Sequence, residues 1–259
     1  MMKMTMITGA TGGLGRAFAA LYAKDKQNLF LVATKQERLE AMKAQMEADY
    51  GVTVDVFAAD LSTQEGCEAV FAYTQEKGYF IDNLVNNAGF GDRTDFKEMD
   101  VQKQINMVGV NCTALLYFTR VYLDEMLKQN EGHIINVGSI AGFLCGPYMS
   151  TYHATKAFVL SLGESVAYEL RKTNVKLLTL CPGTFESDFV TTAKYEYAFE
   201  QRKPMSAEKV AAYGYKQSKK GKRVAVVGFW NKLTVFAPRL FPRKLIAYCS
   251  ANTAKKGGK

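Results

Sequence analysis

Met4-Thr-Met-Ile-Thr8-Gly9-Ala-Thr-Gly12-Gly13-Leu-Gly15 is the stretch on which the reading of the chain turns. Met4 to Thr8 predicts a first strand, the glycines a tight loop, and the residues after them a helix through Tyr22. A strand, a glycine loop and a helix in that order present backbone N–H groups and a helix N-terminus to a pyrophosphate. A glycine-rich turn alone is a weak signal. Its place between a first strand and a helix favours dinucleotide binding over a merely structural turn, with Gly9, Thr11, Gly12, Gly13, Leu14 and Gly15 as the candidates.

Downstream, short apolar runs alternate with amphipathic ones. Asn28 to Ala33 predicts strand two, and the helix from Gln36 carries Leu39, Met42 and Met46 on one face as core. Further strands are expected at Val52 to Ala58, Ile81 to Val85, Gly132 to Gly138, Val175 to Leu180 and Arg223 to Gly228, with a long helix over roughly Asp100 to Gln129. The fold class is therefore α/β: a Rossmann-type doubly wound parallel sheet of about seven strands with helices on both faces. At 259 residues the chain is long for one domain, yet single α/β domains reach this size, and residues 1–259 read as one.

Composition narrows the class. With 48% hydrophobic and 22% charged residues there is no low-complexity segment, linker or repeat. The net charge of +8 suits nucleic acid, a membrane surface or an anionic cofactor. Basic residues are spread along helices, and the densest cluster, Lys216 to Arg223, lacks the interleaved aromatics of a single-strand platform, so no nucleic acid is expected. Five cysteines, an odd number with no Cys-x-x-Cys spacing, argue against a metal site and a disulfide framework and for a reducing cytoplasm. The start is too soon interrupted by glycine for a signal peptide, and no run approaches 18 uncharged apolar residues.

The nucleotide's identity rests on the end of strand two. An acidic residue there takes a ribose 2′-hydroxyl, whereas a basic one suits the 2′-phosphate of NADP. The chain has Ala33-Thr34-Lys35 and no carboxylate; Lys35 with Arg38 would pair the phosphate, so NADP(H) is preferred over NAD(H). The alternative is that Lys35 is a solvated helix start. In Asp60-Leu61, Asp60 either accepts a hydrogen bond from the adenine amino group or caps the helix after Ser62. Asn86-Asn87-Ala88-Gly89, small and polar, lets a backbone approach a cofactor closely, or simply turns the chain.

A second motif lies between Ser139 and Lys156. Tyr152 and Lys156, four apart on a helix, share one face, so the ammonium can reach the phenol oxygen. A phenol pKa of about 10 falls by roughly 1 to 3 units beside a cation, towards the range useful for proton transfer. Ser139 ends an apolar strand, at the sheet edge where ligands bind, and would hold the reacting oxygen.

Together these motifs resemble the short-chain dehydrogenase/reductase family, in its short single-domain branch, over about residues 3 to 190. Thr8-Gly9-x-x-x-Gly13-x-Gly15 is similar to its cofactor motif, Asn86-Asn87-Ala88-Gly89 to its stabilising motif, and Ser139 with Tyr152-x-x-x-Lys156 to its catalytic set. Asn111 matches the fourth catalytic position, and Pro182-Gly183, followed by Thr184, the turn that borders the nicotinamide. The resemblance implies hydride transfer between a nicotinamide and a carbonyl or alcohol carbon. Tyr152 would be the acid or base, Ser139 would orient the oxygen, and Lys156 would both lower the phenol's pKa and bind the ribose. Asn111 would hold a water that connects the lysine to solvent. No metal is implied. Thr34 stands where many relatives carry arginine, Gly138 replaces a common serine, and His133 and His153 match no catalytic position.

Substrate choice should lie in residues 184–223. Phe185, Tyr195, Tyr197 and Phe199 alternate with polar residues and would form one apolar wall, with Phe143, Leu144 and Cys145 opposite, or they are an ordinary surface helix. The wall reading predicts a bulky apolar carbonyl or alcohol substrate, such as an oxoacyl, hydroxysteroid-like or aromatic ketone. In the C-terminal extension, residues 229–259, Trp230, Phe236, Leu240 and Phe241 must be covered. They would close over the pocket, pack in a homodimer or homotetramer, or make weak peripheral contact with an anionic membrane, with Pro238 and Pro242 breaking the segment into short pieces. A non-catalytic NADP-binding sensor is the alternative function, though such a protein would be expected to have lost part of the tetrad.

Overall fold

Met4 and Met6 point to one face of the first strand, β1 (Met2–Thr8), and Thr5 and Ile7 to the other, and all four are buried. A strand with no wet face belongs inside a sheet covered on both sides. The computed structural model describes residues 1–185 and 205–255. Among them, β1, β2 (Leu29–Ala33), β3 (Val54–Ala58), β4 (Tyr79–Asn86), β5 (His133–Val137), β6 (Lys176–Cys181) and β7 (Val224–Val226) form one seven-stranded parallel sheet in the order β3-β2-β1-β4-β5-β6-β7. All the strands expected from sequence are present. Their ends move by one or two residues.

Helices cover both faces. On one side α1 (Gly13–Lys24), α2 (Gln36–Tyr50) and α7 (Ala207–Lys219) bury Phe18, Leu39, Met42, Met46 and Val210 against Ile7, Leu29 and Leu31. On the other, α3 (Gln64–Glu76), α5 (Leu115–Gln129) and α6 (Ser150–Glu169) bring Val70, Phe118, Tyr122 and Ala167 onto Met4, Met6, Phe30 and Val32. The period-2 split of neighbours such as Leu29 and Phe30 between the two cores is what a doubly wound sheet requires. Connections are crossovers, because parallel neighbours cannot be joined by tight hairpins.

Two local readings change. The helix expected over Asp100 to Gln129 is α4 (Val101–Val108), a π turn (Gly109–Ala114) and then α5, and the wider turn carries Asn111. Asp60 does not cap α3. Thr63 does, its hydroxyl accepting from the Gly66 N–H at 3.1 Å, while the Asp60 carboxylate takes the Ser62 N–H at 2.9 Å.

After β7 come α8 (Phe229–Phe236), a 3-10 turn holding Pro238, and α9 (Arg243–Lys255), which begins directly after Pro242. Proline fixes φ and lacks an N–H, so it suits helix starts and breaks the segment where the sequence suggests.

Candidate active site

The strand order reverses between β1 and β4, and there the carboxyl ends of neighbouring strands lead into loops that part to leave a crevice. Thr8 and Asn87 lock that junction. The Thr8 hydroxyl oxygen accepts the N–H groups of Asn87 and Ala88, each at 3.0 Å, and the Asn87 amide donates to the Thr8 and Gly9 carbonyls at 2.9 and 3.1 Å. Gly9 has φ +62°, and a Cβ on it would stand 2.9 Å from Ala88 Cα. A Cβ on Gly15 would meet the Gly9 carbonyl oxygen at 2.3 Å. Both positions therefore demand glycine.

The N-cap of α1 is Gly12, which has no side chain to cap the helix, and the first turn holds no acidic residue. The first N–H groups of a helix have no intrahelical acceptor, so this end is suited to an anion. A glycine cradle, an uncapped helix start and the close approach of the Ala88 backbone to Gly9 fit a dinucleotide's phosphates.

Ser139 lies just past the end of β5, its extended backbone starting a 3-10 turn whose Ala141 N–H donates to Ser139 Oγ at 3.1 Å. Tyr152 and Lys156 lie on α6. The Tyr152 residue keeps part of its surface open to the crevice, but burial pushes its phenol up to about 12, with the Ser139 hydrogen bond pulling down and the Cys181 thiol nearby pushing up. Lys156 is buried, and desolvation lowers its pKa to about 8. Its Nζ donates to the Val137 carbonyl at 2.8 Å and sits 5.8 Å from the Tyr152 ring centre. The expected lowering of the phenol by Lys156 is thus not found: burial prevails, and the ammonium is engaged by the backbone of β5.

Asn111 is buried behind this group. Its Oδ1 accepts from the Phe90 N–H at 3.0 Å, and its Nδ2 donates to the Phe90 carbonyl at 2.9 Å and to Thr155 Oγ1 at 3.0 Å. A Cβ on Gly89 would stand 2.9 Å from Asn111 Oδ1 and 3.6 Å from Lys156 Nζ, so these residues share one spot. The side chain of Asn111 holds the loop after β4.

One cavity of about 770 Å³ joins the parts. Its inner walls include Gly9, Gly12, Gly13, Leu14, Asn87, Ala88, Gly89, Ser139, Tyr152, Lys156, Pro182, Gly183 and Thr184. Thr11, Gly15, Lys35, Asp60, Leu61 and Asn111 are not among the wall residues. Gly15 lies behind Gly9, and Leu61 is buried. Lys35 and Asp60 stand exposed beyond the carboxyl ends of β2 and β3, further along the same sheet edge.

The outer walls are mostly apolar: Leu144, Met149 and Phe185, then Ala237, Phe241, Leu245, Ile246 and Cys249 from the C-terminal helices. Phe143 and Cys145 do not line the cavity. Tyr195, Tyr197 and Phe199 lie outside the described residues. His153, to which the sequence assigns no role, is a wall residue. Its Nδ1 is 2.9 Å from the Leu144 carbonyl, and burial lowers its pKa, favouring a neutral ring that donates there. A Cβ on Gly146 would lie 2.1 Å from that ring. The pairing of an X-Gly-Pro loop with a histidine one residue after Tyr152 is the signal that was available for it.

Among the described residues no group of His, Cys, Asp and Glu is arranged to hold a metal. A sequence profile described as short chain dehydrogenase matches residues 3–198. An uncharacterised oxidoreductase of Staphylococcus saprophyticus is 31% identical over 185 residues, 71% of this chain and 79% of that protein. A bulky-bulky ketone specific alcohol dehydrogenase from Comamonas testosteroni superposes with TM-score 0.78 at 26% identity, over 92% of each chain. A short-chain dehydrogenase from Sphingobium yanoikuyae in complex with NADPH does so with TM-score 0.83 at 25% identity, covering 92% of this chain and 93% of that one. One from Burkholderia phymatum in complex with NAD gives 0.80 at 27%, covering 90% and 91%.

Proposed function

The chain belongs to the short-chain dehydrogenase family of oxidoreductases, and on that premise we propose that it transfers a hydride between NADP(H) and the carbonyl or alcohol carbon of a bulky apolar substrate. The observation that carries this reading is that one cavity holds the glycine cradle with Ser139, Tyr152 and Lys156 at its inner end and is mostly apolar at its outer end.

A bound nicotinamide supplies or accepts the hydride. The Tyr152 hydroxyl gives a proton to the substrate oxygen in reduction and takes one in oxidation, and Ser139 orients that oxygen and stabilises charge on it. With its pKa near 12 the phenol is protonated at neutral pH, the form reduction needs. Lys156, a buried cation, is in place for the ribose hydroxyls, and Gly12, Gly13 and Leu14 for the pyrophosphate.

NADP is supported by the absence of a carboxylate at Ala33-Thr34-Lys35 and by exposed Lys35, just past the end of β2, and Arg38, in the first turn of α2, near where a 2′-phosphate falls. The bulky-ketone enzyme of similar structure and the apolar outer cavity support a large substrate. Incubating the protein with NADPH or NADH and a panel of aliphatic, aromatic and steroid ketones tests all of this. NADPH consumption with bulky ketones is expected. Tight NADPH binding with no turnover on any of them would favour a nucleotide sensor.

We further read residues 1–259 as one catalytic domain acting in the cytoplasm, in keeping with five free cysteines. Val101, Ile105 and Val108, at i, i+4 and i+7, form an exposed apolar stripe on α4, a face fit for a second copy in a homodimer or homotetramer. Sedimentation velocity of wild type and Ile105→Lys tests that assembly; a monomeric wild type rejects it.

A further inference from the structure

After Glu208 the chain has no acidic residue: thirteen of its 33 Lys and Arg fall there and none of its 25 Asp and Glu, so this stretch carries +13 and the preceding 208 residues −5. The same stretch ends in two helices that hold much of the exposed apolar surface. Phe229, Leu233 and Phe236 fall at i, i+4 and i+7 on α8, and with Leu240 and Tyr248 they are 48% to 69% exposed. Lys232, Arg239, Arg243 and Lys244 stand exposed between them.

We propose that α8, the turn after it and α9 form a docking surface for an anionic lipid bilayer. Large apolar side chains interspersed with cations, with no carboxylate, are the composition that enters the headgroup layer of such a membrane. The pieces are short. At 1.5 Å per residue, 8 and 13 residues span roughly 12 and 20 Å, less than the ~30 Å hydrocarbon core, so they lie at the surface and do not cross it. A second copy is the wrong occupant, because residues 229–255 hold five Lys and Arg and no carboxylate, so that a copy docked by the same face would set +5 against +5. The surface is also continuous with the cavity: Phe241 and Leu245 line it and are 50% and 44% exposed. An apolar substrate dissolved in the bilayer would meet the cavity wall without crossing water. That last point rests on the proposed reaction; the docking itself does not.

The test uses the full-length protein and needs no turnover. Phosphatidylcholine vesicles with and without phosphatidylglycerol are sedimented with it at low and high salt, while the emission of Trp230, the chain's one tryptophan and 59% exposed, is followed. Binding to the phosphatidylglycerol vesicles alone, lost at high salt, with a blue shift of Trp230, is the result expected. The variant Arg239→Ala/Arg243→Ala/Lys244→Ala should bind about 100-fold more weakly, since each basic residue near the surface is worth about fivefold, and should still bind NADPH as wild type does. Failure of the wild type to sediment with anionic vesicles overturns the proposal. So does equal binding to both vesicle types, or a blue shift that rises with protein concentration in the absence of lipid, which would make a second copy the occupant. A vesicle-binding protein that reduces no ketone would reject the reaction and leave the docking surface standing.

Discussion

Lys156 Nζ donates to the backbone carbonyl oxygen of Val137 at 2.8 Å, which fastens the ammonium to the last residue of β5, next to the turn that carries Ser139. The lysine is thereby positioned by the sheet and not only by its own helix. A buried cation satisfied by a neutral carbonyl remains expensive, which is why its pKa falls to about 8.

That cost has a pH signature. The folded chain releases the Lys156 proton near pH 8, the unfolded chain at its ordinary value of 10.5. Below pH 8 both states hold the proton and the full cost is present. Between pH 8 and 10.5 the unfolded chain binds more protons at this group, so the Lys156 contribution to stability rises with pH across this window. Tyr152 acts with the opposite sign, but only above pH 10, where the unfolded chain loses the phenol proton first. In urea unfolding, wild type should gain about 2 kcal/mol relative to Lys156→Met between about pH 7.5 and about pH 9.5. A constant difference between the two proteins over that range would mean Lys156 titrates normally.

Tyr152→Phe removes the phenol and keeps the ring. Turnover with the best ketone should fall by roughly 10² to 10⁴, the usual value of general acid catalysis, while the NADPH dissociation constant changes little. A variant that keeps more than about a tenth of wild-type turnover would take the acid role from Tyr152.

Lys35→Ala should weaken NADPH binding and leave NADH binding almost unchanged, because only NADPH carries the 2′-phosphate. Loss of one charge-assisted contact is worth roughly 1.5 to 3 kcal/mol. Fluorescence titration with both nucleotides checks this, and equal effects on the two would return Lys35 to the solvated surface of the α2 start.

The glycine loop should be unequally tolerant even with no nucleotide present. A Cβ on Gly15 would lie 2.3 Å from the Gly9 carbonyl oxygen and 2.8 Å from Ala10 Cα, whereas one on Gly12 would lie 3.5 Å from its nearest neighbour. Gly15→Ala should therefore cost about 1 to 3 kcal/mol of unfolding free energy. Gly12→Ala should stay within about 0.5 kcal/mol of wild type. Equal thermal unfolding of the two variants would contradict the packing at Gly15.

Local features are the ones legible in the sequence. The passage from Met4 to Gly15 reads as strand, loop and helix because each step is set by neighbours in the chain, and the Tyr152 to Lys156 spacing is one helical turn. Whatever depends on long-range packing was not legible. That the Lys156 ammonium would meet the Val137 carbonyl depends on how α6 crosses β5. The π turn that carries Asn111 leaves no compositional mark in Gly109 to Ala114. Phe143, Leu144 and Cys145 are all expected in the wall, yet a tight turn points successive side chains in different directions, and only Leu144 faces the cavity. Ile246 and Cys249 of α9 reach the same cavity from almost a hundred residues beyond Tyr152, and nothing in their apolar character told cavity wall from core.

The Thr8–Asn87 lock has a consequence for how the molecule is made. Its partners are separated by 79 positions, with β2 and β3 both lying between them in the chain and outside them in the sheet. A growing polypeptide can pair β1 with β2 and β2 with β3 while the other edge of β1 is still open, an unprotected row of peptide groups between two apolar faces. That edge closes only when Tyr79 to Asn86 has left the ribosome, and the C-terminal walls come later still. The glycine loop and the C-terminal cavity walls are thus completed in sequence, and the interval before β4 arrives is when the nascent chain is most exposed to mispairing.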